Sequence, residues 1–366
     1  MKWKKEIEGL KAYQPGKSID AVQKEFGLST IHKLASNENP YGCSPKVQEF
    51  LAKEAFNFAL YPDGAATDMR STISEHLGVS GRKLIFGNGS DELISIISRS
   101  LLRPGVNTVM AKPTFSQYAL NARIEGAEVR EVPLKDGTHD LVEMLKQIDH
   151  ETAVVWLCSP NNPTGVVIDD SALTAFLDKV PQDVLVVLDE AYFEYITNPT
   201  YRNTLSYIDE YPNLLILRTF SKAYGLASFR VGYGMASEPI IAKLEPVRGP
   251  FNTTVLSQAV VSVAVEDQSF IDMCRSENEK GKQLIEKFCT AHNLHFYPSD
   301  TNFILMEVKT DSDIVFQRLM EKGYIVRSGN VLGVPGYVRV TIGTQEQNEG
   351  FLRQLTDVLK DQGVAI

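Results

Sequence analysis

Five short apolar runs, each ending in a polar turn, constrain this chain more than any other feature: "RKLIFGNGS" (82–90), "NTVMAKP" (107–113), "AVVWLCSP" (153–160), "VLVVLDE" (184–190) and "LLILRTFS" (214–221). Such β-branched runs read as buried strands, and the helical stretches between them supply the layers that cover a sheet. Together they predict an α/β fold in which a mostly parallel sheet is sandwiched by helices from about residue 82 to 235. Ligands of open α/β sheets bind beyond the carboxyl ends of the strands, so these turns are expected to converge on one crevice.

After Arg248-Gly249-Pro250 the pattern changes to Glu- and Lys-rich helices, the strand "TNFILMEV", the helix "SDIVFQRLMEKG", the strands "YIVRSG" and "YVRVTIGT", and a closing helix from about Glu346. The expected organisation is an N-terminal arm (1–30) associated with the smaller domain, a large domain (31–248) and a small C-terminal α+β domain (249–366). At 366 residues and 43% apolar content the chain is long enough for both. A net charge of -9 without a Lys/Arg stripe excludes a nucleic-acid surface. The opening "MKWKKEIEGLKAY" carries no apolar signal core, and no later run reaches the roughly 20 residues of a membrane span, so a cytoplasmic protein with small-molecule ligands is expected. The four cysteines form no C-x-x-C and the six histidines no H-E-x-x-H, which leaves neither a disulfide framework nor a metal site.

Four strand-end turns carry unusual residues. In "FGNGSDELISII" (86–97) the strand ends in Gly87-x-Gly89 and a helix begins at Ser90 or Asp91, where free N–H groups and the helix dipole suit a phosphate; a plain N-capped turn fits equally. A dinucleotide fingerprint fails there, because Glu92 stands where a third glycine belongs. In "LVVLDEAYFEY" (185–195) no P-loop accompanies the acidic strand end, so buried Asp189 needs either a protonated ring nitrogen or a local arginine. In "SPNNPTG" (159–165) Pro163 stiffens the turn and aims Asn162, although the prolines also suit a bare tight loop. In "RTFSKAYGLASFR" (218–230) Lys222 is an amine that desolvation or cationic neighbours could make nucleophilic, with Arg230, Thr219 and Ser221 as donors for an anion; a solvated lysine is the plain alternative.

The four taken together decide between these alternatives. An imine-forming lysine, a phosphate cup, a carboxylate for a pyridinium and an amide for a phenolic oxygen are the complement of pyridoxal 5'-phosphate.

Over nearly its whole length, through "KLASNENPYG" (33–42), "YPDG" (61–64), "GNGSDELI", "PTFSQY", "SPNNPTG", "LDEAYFEY", "TFSKAYGLASFRVGYG" and "YVRVTIGT", the chain resembles the fold-type-I pyridoxal-phosphate aminotransferases, and among them the branch that uses histidinol phosphate. The resemblance implies that Lys222 forms the internal aldimine and shuttles a proton, and that Asp189 pairs with the ring nitrogen. It implies that Asn162 and Tyr192 bond the 3-oxygen and that Ser90, Asp91, Thr219, Ser221 and Arg230 hold the phosphate. Phe115 would lie on the ring face, where a tyrosine is common in relatives. Tyr61 would reach the cofactor phosphate of a neighbouring subunit, making the enzyme a homodimer. On the substrate side, Arg327 and Arg339 on adjacent strands would take the phosphate of histidinol phosphate in one half-reaction and the carboxylates of 2-oxoglutarate or glutamate in the other, with Tyr13 closing over the same group. An aromatic-amino-acid aminotransferase and a threonine-phosphate decarboxylase are the two alternatives on the same framework.

Overall fold

The computed structural model describes residues 1–10 and 17–366. After the helix Ile19–Phe26 and a two-residue strand β1 (His32–Lys33), the chain lays down β2 (Leu84–Asn88), β3 (Asn107–Lys112), β4 (Glu128–Pro133), β5 (Thr152–Cys158), β6 (Leu185–Asp189), β7 (Leu214–Thr219) and β8 (Val231–Ala236). These last seven form one sheet in the order β2-β8-β7-β6-β5-β3-β4. All neighbours from β7 to β4 pair in parallel, whereas β8 runs antiparallel to both β7 and β2. The physical reason is loop length: residues 220–230 are too few for a helical crossover, so the chain must turn back beside β7.

Both faces of this sheet are covered. On one side lie Val155, Leu157, Val186, Leu188 and Ile216, and on the other Val154, Trp156, Val187, Leu215 and Leu217, each buried in its own apolar cluster. The five runs read from sequence are all strands here. The two that pattern did not reveal have reasons of their own. β4 ("EVREVP") is a charged edge strand, and β8 ("VGYGMA") is interrupted by glycines. Gly232 is required: a Cβ on it would stand 2.4 Å from the Ser90 amide nitrogen, so only glycine lets β8 lie against the start of the helix Ser90–Leu101.

The smaller unit contributes β9 (Phe303–Glu307), β10 (Tyr324–Ile325), β11 (Arg327–Ser328) and β12 (Tyr337–Thr341). Strands β11, β12 and β9 form an antiparallel sheet, and β10 pairs in parallel with β1. Its core is built from Ile304, Met306, Val338, Val340 and the helix residues Phe351, Leu355 and Leu359. Packing does not change at residue 248, where the sequence pattern changes. The helix Val255–Glu266 and the first turns of Gln268–Ala291 bury Val260, Val261, Ala264, Ile271 and Cys274 in the large-sheet core, and the chain joins the smaller core only from about Ile285. The N-terminal segment is divided in the same way: Lys4 pairs with Glu125 beside the large sheet, while Val22 packs with Met320 and Ile325 of the smaller unit.

Candidate active site

Beyond the carboxyl ends of β2, β5, β6 and β7 lies a cleft of about 360 Å³, closed on its far side by β11 and β12. Twelve of the fourteen residues singled out from sequence line it: Ser90, Asp91, Phe115, Asn162, Asp189, Tyr192, Thr219, Ser221, Lys222, Arg230, Arg327 and Arg339. Tyr61 does not; it is 82% exposed and stacks on Phe251 at 4.7 Å. Tyr13 lies outside the described residues.

The cup at the end of β2 forms because Gly89, at φ +78°, caps the helix Ser90–Leu101 without any side-chain hydrogen bond. A Ser or Asp N-cap is therefore absent, and the first amides of the helix stay available to an anion. A Cβ at Gly89 would stand 2.6 Å from Arg230 Nη2, so a larger residue there would push the guanidinium aside. Arg230, itself in the left-handed region at φ +56°, reaches Ser221 Oγ at 3.4 Å and Asp91 Oδ2 at 3.6 Å. Thr219 Oγ1 donates to Ser221 Oγ at 3.0 Å, which places both hydroxyls at the same edge.

Lys222 follows within the β7–β8 connection. Its Nζ donates to the Ser36 carbonyl at 3.2 Å, and burial, followed by the Arg339 cation, lowers its pKa to about 8. Asp189 ends β6 at 3% exposure and accepts from Tyr118 Oη at 2.7 Å and from the Ala191 amide at 3.1 Å. Both donors are neutral. Burial pushes the carboxyl up to about 6, against the pull of those hydrogen bonds. The local-arginine alternative falls to the next residue instead: Arg218 pairs with Glu190, not with Asp189.

Tyr192 and Asn162 stand between the two units. Tyr192 Oη accepts from Asn37 Nδ2 at 2.9 Å, and Asn162 Oδ1 accepts from Arg339 Nη1 at 2.6 Å. Arg339 also donates to the Ala35 carbonyl at 2.8 Å and lies directly across from Arg327 in the β11–β12 ladder. A second cleft continues from the first, sharing Phe115, Asn162, Arg327 and Arg339 and adding Lys17, Ser116 and Ser328. The arrangement offers one depressed-pKa amine, one buried carboxylate without a cation, an anion cup and, opposite, two guanidinium groups.

Residues 29–355 match the family model for aminotransferase class I and II. The chain belongs to this family. Among relatives of this aminotransferase chain, the histidinol-phosphate aminotransferase of Lysinibacillus sphaericus is 62% identical over all of both chains. That of Bacillus subtilis (strain 168) is 55% identical over 98% of this chain and 100% of its own. The fold is shared with the crystal structure of histidinol-phosphate aminotransferase from Sinorhizobium meliloti in complex with pyridoxal-5'-phosphate, at TM-score 0.89 and 24% identity over 98% of each chain. Two residues not singled out from the sequence contact candidate-site residues: Tyr118 Oη donates to Asp189, and Asn37 Nδ2 donates to Tyr192. Both sit inside quoted motifs, "PTFSQY" and "KLASNENPYG", but only their contacts give them work.

Proposed function

We infer that this chain is a pyridoxal-phosphate-dependent aminotransferase that converts histidinol phosphate and 2-oxoglutarate to imidazole-acetol phosphate and glutamate in histidine synthesis. The observation that carries the cofactor is Asp189, a carboxylate at 3% exposure whose hydrogen-bond donors are both neutral, in the same cleft as an amine lowered to about 8. A protonated ring nitrogen supplies the missing cation, and the uncapped helix start with its glycine-bounded guanidinium fits a phosphate. When bound, pyridoxal phosphate supplies an aldehyde that captures amines and a ring that accepts the electron pair released at the substrate carbon.

The chain's own residues do the rest. Lys222 Nζ would hold the aldehyde, and a pKa near 8 would leave the free amine able to take and return the proton of the amine-bearing substrate carbon near neutral pH. Asp189, oriented by Tyr118, would keep the ring nitrogen protonated. Ser90, Asp91, Thr219, Ser221 and Arg230 would hold the phosphate, Asn162 and Tyr192 the ring oxygen, and Phe115 the ring face. Arg327 and Arg339 take the substrate's anionic end, and the adjoining cleft gives its side chain room. Full-length relatives at 62% and 55% identity support histidinol phosphate over the other substrates this framework serves. A homodimer, with exposed Tyr61 reaching a neighbour's site, belongs to the same proposal, as does a cytoplasmic location; among the described residues no helix is long and apolar enough to cross a membrane.

Three experiments test this reading. Borohydride reduction followed by peptide mapping is expected to place the cofactor on Lys222; a label elsewhere, or none, overturns it. Side-by-side rates on histidinol phosphate, phenylalanine and threonine phosphate, with carbon dioxide release followed, are expected to favour histidinol phosphate and to require the oxo acid. For the shared site, mixing Tyr61→Phe with Lys222→Ala protein is expected to restore activity in the hybrid.

A further inference from the structure

One residue after Asp189 and one before Thr219, Glu190 and Arg218 form a buried ion pair that the chemistry above does not use. Glu190 is fully buried and Arg218 is 2% exposed. Arg218 Nε and Nη2 each stand 2.9 Å from Glu190 Oε2. The other carboxylate oxygen accepts from Thr204 Oγ1 at 2.6 Å and from the Tyr201 hydroxyl, and the guanidinium lies 3.3 Å over the Phe193 ring. The Glu190 amide also extends the β6–β7 ladder by donating to the Leu217 carbonyl at 2.8 Å. Asp189 and Thr219 line the cleft while Glu190 and Arg218 do not, as the alternation of side chains along a strand dictates.

A buried ion pair gains little stability over apolar residues of similar size, because desolvation offsets the attraction; in some proteins what it secures is geometry. We propose that Glu190 and Arg218 are positioning residues for the site. Their pairing across the ends of β6 and β7 sets where Asp189 stands relative to the Thr219–Lys222 turn, and it presents no net charge to either. The proposal rests on the cofactor reading above. Charge balance matters because the pair's other neighbours do not supply it. Glu194 is 7% exposed with one buried oxygen that has no hydrogen bond, and burial pushes it up to about 7. The remaining titratable groups around the pair are Tyr201, Tyr224, Tyr233, His76 and Arg275, the last of which donates to the Glu194 carbonyl at 2.6 Å.

The test compares the full-length protein with Glu190→Gln, Arg218→Gln and the double variant, each titrated with pyridoxal phosphate and then, loaded, titrated with acid and base while the visible band is followed. Both single variants are expected to bind the cofactor about tenfold more weakly. The pH midpoint of the band is expected to fall in Glu190→Gln, where an uncompensated cation disfavours bound protons, and to rise in Arg218→Gln, where an uncompensated carboxylate favours them. The double variant, again without net charge, should regain the wild-type midpoint but not the affinity. Midpoints that stay put, or move in the same direction in both single variants, while only the thermal midpoint of the cofactor-free protein drops, overturn the proposal. If Arg218→Gln does not fold, Arg218→Lys keeps the charge and should hold the wild-type midpoint while Glu190→Gln lowers it; an unmoved Glu190→Gln midpoint then overturns it. A wild-type protein with no visible band overturns the cofactor reading itself, an outcome distinct from a band that ignores these substitutions.

Discussion

The two walls of the cleft are built differently. On the large-sheet side each strand end contributes a residue or two, and the parallel strands β5 to β7 end beside one another, with Asp189 on β6 and Asn162 and Lys222 just beyond β5 and β7. On the other side Arg327 and Arg339 are cross-strand partners in a two-residue ladder, and Arg339 reaches across to Asn162 and the Ala35 carbonyl. One wall is a set of separately anchored groups with distinct chemistries; the other is a pair of like cations whose placement depends on how the smaller sheet meets the larger. Chemistry should therefore fail when the first wall is altered, and substrate preference when the second is.

The largest effect is expected at Lys222. Lys222→Ala should lose the visible band and lower turnover by about 10⁴-fold or more, because attachment and proton transfer disappear together; steady-state rates and a spectrum check it. Asp189→Asn comes next, with turnover down about 10³-fold and cofactor affinity weakened. The cofactor-free variant, however, should be more stable than wild type at pH 7 by about 2–3 kcal/mol, since the penalty of a carboxyl raised to about 6 is removed. The sign follows from proton binding: between about pH 4 and 6 the folded, cofactor-free chain holds a proton that the unfolded chain has lost, so wild-type stability falls as pH rises through that window. Urea denaturation at pH 4.5 and 7 reads this out, and equal differences between variant and wild type at both pH values would contradict it.

On the second wall, Arg339→Met is expected to raise KM for a phosphorylated substrate about 10- to 100-fold, the loss of one charge-assisted contact, while leaving the band in place. A vanished band would show that Arg339 acts mainly through Asn162 and would break the division between walls. The smallest effect is expected for Lys222 reactivity in cofactor-free protein. Labelling by an amine-directed reagent should rise through about pH 8, well below an ordinary lysine; a midpoint near 10 would remove burial as the activating cause.

Much of the first wall was legible in the residues themselves. Asp189, Asn162, Lys222 and the Gly87-x-Gly89 turn each end an apolar run, and a parallel sheet leaves such ends nowhere to point but one crevice. What supports them was not legible. Tyr118 lies on the helix Gln117–Ile124, and nothing in its spacing reveals that its hydroxyl meets a carboxylate 71 residues on. Asn37 and Tyr192 likewise meet only because β1 and the segment after it run between the two units. The change of pattern at Arg248 does not coincide with the change from one apolar cluster to the other, because helix amphipathicity shows that a face is buried but not which sheet buries it.

Local pattern alone thus determined five of the sheet's seven strands, the turns that end them and the kinds of functional group those turns carry, since burial and turn chemistry act over a few residues. Tertiary structure alone decided that Arg218 neutralises Glu190 and leaves Asp189 for another cation, and that two arginines of the smaller sheet face the cleft. Those outcomes depend on which distant side chains desolvate one another, a property of packed surfaces that no short stretch of chain contains.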